Sequence, residues 1–388
     1  MNRSRKAGDE APASALPAEA LGAPPGPRSV FLKVLSAAFS GGLIVLLFAA
    51  IIPKVADFDE VWESLAQLRP SAVLLMLVLA LLIRVLLAQA YTVITPGLPL
   101  GRSLIAREAS SAVSNVIPGP SGTASQFVIL RSWGVSVERF TRATIGVSVS
   151  TDVLVFAGPG LAFVLWALVG MPAANDSSHA WAFGIGALVL SVVAVVVVAA
   201  VGRSERLAAG LGRLGQACVN PLRRVVGKDP VSTWPDRCVA LRADTVDVLR
   251  NHGWGLLGCV VGGYVINGVL LVMCLWACGI TGEQMPFTLG FLLYTVGRIA
   301  TIVNLTPGGV GVVEIAYTAV YVSVLGESAH DAVVAGVLVY RALTYLLPIV
   351  TGAFCYLLWR LMRHHETHAE TQADPAADPH SETGPAVP

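Results

Sequence analysis

Six stretches of this chain run for about twenty residues or more almost without charge, and a bilayer core of roughly 30 Å needs about 20 apolar residues to be crossed as helix. They are residues 31–52, 71–91, 140–170, 180–202, 253–279 and 331–359. No water-soluble core hides that many uniformly apolar helices. The composition agrees, since 13% of the 388 residues are charged and 55% hydrophobic, against roughly a quarter charged in soluble domains. The fold class is therefore all-α, a polytopic integral membrane protein. Two further regions, 103–134 and 287–325, are apolar enough to enter the membrane but are interrupted midway by Pro and Gly. The count is then six to eight membrane segments, with the two interrupted regions as broken or re-entrant hairpins.

The ends read differently. Residues 1–30 are rich in Ala, Pro and Gly without apolar periodicity, and 363–388 are acidic and Pro-containing. Neither buries enough surface to offset ordering entropy, so both are expected to be disordered. The apolar run starting near Val34 is too long for a signal peptide and reads as an uncleaved span. His364, His365 and His368 in the tail read as solvated side chains rather than a metal site.

Charge narrows the partners. With 26 Lys and Arg against 25 Asp and Glu the net charge is +1, so nothing draws the chain to nucleic acid. None of the six cysteines forms a Cys-x-x-Cys pair, and four lie in apolar runs, where a thiol behaves as a small hydrophobe. No disulfide framework, metal or cofactor is expected.

Orientation follows from the basic residues of the short connections. Arg3, Arg5, Lys6, Arg28 and Lys33 precede or open the first span, whereas Asp57, Asp59, Glu60 and Glu63 dominate 53–70. The connection 203–252 carries Arg203, Arg206, Arg213, Arg223, Arg224, Lys228, Arg237, Arg242 and Arg250, while 171–179, 280–286 and 326–330 hold no Lys or Arg. Both termini are thus expected in the cytoplasm. The first interrupted region must then begin and end inside, the second outside. Leu207, Leu211, Leu214, Val219, Leu222 and Val226 alternate with the arginines of 203–252, the pattern of an interfacial helix meeting anionic inner-leaflet lipids.

The two breaks resemble one another. Asn115-Val-Ile-Pro118-Gly119-Pro-Ser-Gly122 and Asn304-Leu-Thr-Pro307-Gly308-Gly309-Val-Gly311 both read N-x-x-P-G-x-x-G, each after an Arg (Arg107, Arg298) and before a long polar acceptor (Gln126, Glu314). Matching breaks in halves of opposite orientation are what an inverted-topology repeat predicts, and such repeats hold substrate at their discontinuous helices. The halves would be 31–202 and 253–362, joined by 203–252. The alternative is a pair of polar surface turns between four short spans.

At these residues the sequence resembles the lysylphosphatidylglycerol synthase transmembrane region family, the flippase-like domain of the multiple peptide resistance factor and of many stand-alone proteins. Thr306-Pro307-Gly308-Gly309-Val310-Gly311-Val312-Val313-Glu314 carries the stronger match, with Tyr340-Arg341-Ala-Leu-Thr-Tyr345-Leu-Leu-Pro348 and Gly352 after it. Leu130-Arg131-Ser-Trp-Gly134-Val-Ser136 resembles the family's Arg-x-x-Gly turn; the Gly-Gly-Glu common before it is replaced by Gly-Pro-Ser-Gly at 119–122. The resemblance covers roughly 31–362. It implies a membrane-embedded translocator of a lipid or lipid-linked amphiphile with a charged head, here without the aminoacyl-transferase domain of a lysylphosphatidylglycerol synthase.

Ionisable residues at bilayer depth are functional candidates by default. They are Arg84, Arg107, Glu108, Asp152, Arg298, Glu314 and Arg341. Arg298, Glu314 and Arg341 flank the second break and could share one polar cavity suited to a phosphate, or Arg341 and Glu314 could be a structural ion pair. Arg84 is expected to snorkel to the surface. Asp152 is either a proton or head-group site or a helix-contact residue. The candidate substrate-binding set is Arg107, Asn115, Gln126, Asp152, Arg298, Asn304, Pro307, Gly308, Gly309, Glu314 and Arg341. Gly262, Gly263 and Gly268 suit close helix packing within the chain, or a homodimer seam. No Asp-x-Asp, His-x-x-x-Asp or Ser-His-Asp arrangement lies at membrane depth, so a lipid transporter is favoured over a membrane-embedded lipid transferase and over a non-catalytic envelope scaffold.

Overall fold

The computed structural model describes residues 69–117, 120–169, 178–225, 233–302 and 306–373. The expected N-terminal arm, the span 31–52, Pro118, Gly119 and Asn304 lie outside them. Among the described residues all regular structure is helical. The chain runs through α1 (Pro70–Ile94), α2 (Leu100–Val116), α3 (Ser121–Arg131), α4 (Val137–Val169), α5 (Ser178–Arg203) and α6 (Glu205–Val225). It continues through α7 (Trp234–Ala277), α8 (Phe287–Arg298), α9 (Val312–Leu325), α10 (His330–Arg341) and α11 (Leu347–Ala373).

Five stretches are long and apolar enough to cross a bilayer: Pro70–Ile94, Val137–Val169, Gly184–Arg203, Arg250–Ala277 and Glu327–Arg363. They coincide with five of the six uninterrupted apolar runs. The two interrupted regions are instead four short helices of 17, 11, 12 and 14 residues. At 1.5 Å per residue these extend only about 16–26 Å. Within each region the two helices pack on one another, α2 on α3 and α8 on α9.

Helix α7 is 44 residues long, about 66 Å at that rise and twice the bilayer core. Its polar N-terminal part, holding Arg237, Arg242, Asp244 and Asp247, therefore stands clear of the apolar layer and packs against α6. Arg242 Nε donates to the Gly202 carbonyl at 3.0 Å, filling one of the acceptors that the end of α5 leaves open. On α6 the stripe Leu207, Leu211 and Leu214 is exposed beside Arg206 and Arg213. The C-terminal helix departs from expectation: α11 continues ten residues past Arg363 to Ala373. The segment 364–373 contains no Pro or Gly, and the first such residue, Pro375, disfavours helix at the residue before it.

The main core is built by α1, α4, α7, α8, α9 and α10 around Tyr294, Tyr317, Tyr321, Leu270, Leu271 and Leu275. Gly268 of α7 faces Phe291 and Tyr294 so closely that an added Cβ would meet their rings at 2.5 and 2.7 Å. That glycine serves packing within the chain.

Helix α4 carries Gly158-Pro159-Gly160 in its interior, and a mid-helix proline interrupts the backbone ladder. Ser191 of α5 repairs it. Its hydroxyl accepts from Gly160 N at 2.8 Å and donates to the Phe156 carbonyl at 2.6 Å.

Candidate functional site

The second break is a turn that only glycines fill comfortably. Gly308, Gly309 and Gly311 have φ of 59°, 70° and 86°, in the left-handed region that Cβ atoms disfavour. The Thr306 hydroxyl donates to the Val310 carbonyl at 2.8 Å, and Gly309 N donates to the Thr306 carbonyl at 3.0 Å. Helix α9 then starts with a reach-back cap, Gly311 N donating to Glu314 Oε2 at 2.8 Å. The other carboxylate oxygen accepts from Arg341 Nε at 2.8 Å, and Arg341 Nη2 donates to the Gly308 carbonyl at 2.8 Å. The same guanidinium stands over the Tyr345 ring, 4.9 Å from its centroid. These two ionised side chains are 12% and 20% exposed, so the pair is largely desolvated.

After Arg341 the helix widens into a π segment, Ala342–Leu346. Such segments and Pro348, which has no N–H to return to Thr344, leave carbonyls without helical donors. Residues of the first half take them. Arg84 Nη2 donates to the Thr344 carbonyl at 2.9 Å and Asn115 Nδ2 to the Tyr345 carbonyl at 3.1 Å. The Tyr345 hydroxyl donates back to the Asn115 carbonyl at 3.1 Å. Nearby, Thr351 donates to Glu108 Oε2 at 2.7 Å, and Gly352 admits the Glu108 backbone carbonyl where a Cβ would collide with it.

Beside this seam lies a cavity of about 220 Å³. Arg84 of α1, Arg107 of α2, Arg298 of α8 and Arg341 of α10 all line it, with Asn267 of α7 and Tyr340. Among the described residues no carboxylate lines it. A smaller lobe of about 30 Å³ shares Asn267 and Arg298 with it and extends to Thr151 and Tyr264. The Tyr340 hydroxyl donates to Asn267 Oδ1, and Arg107 stands 5.6 Å from the Tyr91 ring centroid. The Nε atoms of Arg107 and Arg298 are buried without a hydrogen-bond partner among the described residues.

Of the residues singled out in the sequence, Arg107, Arg298 and Arg341 meet at this cavity. Glu314, Gly308 and Gly309 stand behind it, and Pro307 opens their turn. Asn115 joins the two halves. Gln126 is buried on α3, its amide nitrogen without a partner among the described residues, outside the cavity lining. Asp152 is exposed in a separate cleft of about 170 Å³ beside Phe156, Ala194 and Val198. Arg84 does not snorkel outward; the Thr344 carbonyl turns it inward. Asn267 is not among the residues singled out in the sequence, although a lone amide within the apolar run 253–279 is its own signal.

Comparison with known proteins agrees in kind. The family model described as "Lysylphosphatidylglycerol synthase TM region" matches residues 33–352. The chain is also similar to the inner membrane protein YbhN of Escherichia coli (strain K12), 33% identical over 95 residues. That match covers 24% of this chain and 28% of the relative's length.

Proposed function

The chain belongs to the lysylphosphatidylglycerol synthase TM region family, and from that membership we propose that it is a flippase-like transporter of the plasma membrane. It moves a lipid, or a lipid-linked charged head group, between leaflets. The observation that carries this reading is the four-arginine cavity, because both halves of the chain line it. A displacement of one half against the other opens such a cavity toward either leaflet. Arg84, Arg107, Arg298 and Arg341 grip the head, Asn267 donates beside them, and Glu314 orients Arg341. The turn Pro307, Gly308, Gly309 and its counterpart at Asn115 supply the broken backbone, with Asn304 as the repeat-mate of Asn115.

Three features support the inverted repeat and its re-entrant hairpins. The helices α2, α3, α8 and α9 are each shorter than a roughly 30 Å core. Each hairpin packs on the long helix that follows the other one, α2 on α11 and α8 on α4, a reciprocal exchange expected of elements related by a two-fold axis. Finally, Pro159 and Pro348 each stand 37 residues beyond the last Gly of their motif, Gly122 and Gly311. Irregular backbone at this depth is tolerated where protein or a watery cavity covers it, and the cavity lies beside it. The exposed leucine stripe of α6, flanked by Arg206 and Arg213, suits the anionic inner leaflet.

Reconstitution of the full chain in vesicles with head-group-labelled lipids tests the reading. The expected result is leaflet exchange above that of protein-free vesicles. Chemical turnover of the lipid would support a transferase instead, and neither exchange nor turnover would leave a scaffold.

A further inference from the structure

The charge balance of the cavity points to the kind of head group it takes. Arginine does not deprotonate in proteins, so Arg84, Arg107, Arg298 and Arg341 bring four positive charges to one space of about 220 Å³. Two carboxylates act on the cluster. Glu314 is bonded to Arg341 at 2.8 Å, and Glu108, next to Arg107 on α2 and accepting from Thr351 at 2.7 Å, is a second buried carboxylate of this seam. Among the described residues, two positive charges remain without a counter-charge. Their location is also marked, since Arg107 and Arg298 each keep a buried Nε without a partner among the described residues, and Arg298 shares its cavity linings with Tyr340 and Tyr264.

An uncompensated charge at bilayer depth is costly, and a buried one costs most when its partner is missing. A zwitterionic head would bring another cation among four. A phosphodiester brings one negative charge and leaves one guanidinium unbalanced. A phosphomonoester, with a second pKa near 6, is close to a dianion at neutral pH and offers three oxygens to guanidinium forks; a diphosphate does the same.

We propose that the cavity is a site for a phosphate group carrying two negative charges, a phosphomonoester or diphosphate borne on a lipid or free, in preference to a phosphodiester head. The lipid form of this inference rests on the transport reading; the charge class does not.

Binding to the purified full chain in a non-ionic detergent tests it, with short-chain phosphatidic acid, phosphatidylglycerol, inorganic phosphate and inorganic diphosphate as probes. At pH 7.5 phosphatidic acid is expected to bind about tenfold or more tightly than phosphatidylglycerol, a difference of one decade in Kd. The preference shrinks toward pH 5, where the monoester takes up its second proton and the arginines stay charged. Equal binding of the two lipids at pH 7.5, or a preference that is undiminished at pH 5, overturns the proposal. Phosphatidic acid binding well above inorganic phosphate and diphosphate assigns the site to a lipid; binding of the inorganic anions as tight as the lipid assigns it to a free anion of the same class. In Arg298→Gln the preference for the monoester is expected to collapse while Arg298→Lys keeps part of it, and an undiminished preference in Arg298→Gln counts against the assignment. Should Arg298→Gln not fold, the pH series on the unaltered chain still decides. Leaflet exchange with no preference between the two lipids in binding would sink this inference and keep the transporter; selective binding without exchange would do the reverse.

Discussion

Arg341 engages three groups at once, the Glu314 carboxylate, the Gly308 carbonyl and the Tyr345 ring, and still lines the cavity. Glu314 does not line it, and both its oxygens are already occupied within the protein. The pair is therefore asymmetric, with Glu314 held within the turn and Arg341 reaching the cavity. Breaking such a pair by removing one member typically costs about 3–5 kcal/mol, so loss of protein in Glu314→Ala carries no information about transport. The useful comparison sets Glu314→Gln beside the double variant Glu314→Gln, Arg341→Met, which also removes the orphaned cation. The double variant is expected to be as abundant and heat-stable as the parent yet inactive in lipid exchange; recovered exchange would reduce the pair to a structural lock. Gly308 permits a cleaner stability test. Its φ of 59° costs an L-residue about 1–2 kcal/mol, and a Cβ would strike the Tyr345 ring. Gly308→Ala should lower the melting temperature in detergent, and an unchanged melting curve would mean that the turn relaxes freely.

At the scale of elements, what the lipid solvent imposes could be read directly. Runs such as 71–91 and 253–279 become helices because no water satisfies an open backbone at that depth, and their lengths are fixed by bilayer thickness rather than by partners. The breaks were visible for the converse reason, Pro and Gly where helix should continue. Arg84 was not legible in the same way. Its inward turn depends on a carbonyl freed about 260 residues later by Pro348 and the π segment, and pairwise geometry of that kind has no local sequence period. Asn267 likewise gains its place only when α7 meets Tyr340. The short helices α2 and α3 lead to a test of the hairpin. Single cysteines at Gly101, where a new side chain meets nothing within 4 Å, and at the exposed Ser136 should react with an impermeant maleimide from the same side of the membrane. Reaction from opposite sides would make the first break a full crossing and remove the inverted repeat.

For the molecule as a whole, each half completes the other: α1 packs on α7, α2 on α11 and α8 on α4, and the cavity takes two arginines from each half. That exchange makes the orientation of one half depend on the other, so a single well-chosen pair of probes reports on both. The basic residues supply the expectation. Arg237, Arg242 and Arg250 crowd the polar end of α7 along with Arg203, Arg206 and Arg213 nearby, whereas 280–286 and 326–330 contain no Lys or Arg, and such asymmetry places the basic side in the cytoplasm. Ser328, exposed in the short turn between α9 and α10, and Ala243, exposed on the polar part of α7, are therefore expected on opposite sides. In intact cells lacking other reactive cysteines, Ser328→Cys should be labelled by an impermeant maleimide and Ala243→Cys only after the membrane is opened. Labelling of Ala243→Cys in sealed cells would invert the protein, place the leucine stripe of α6 against the outer leaflet, and remove the inner-leaflet lipids from its partners.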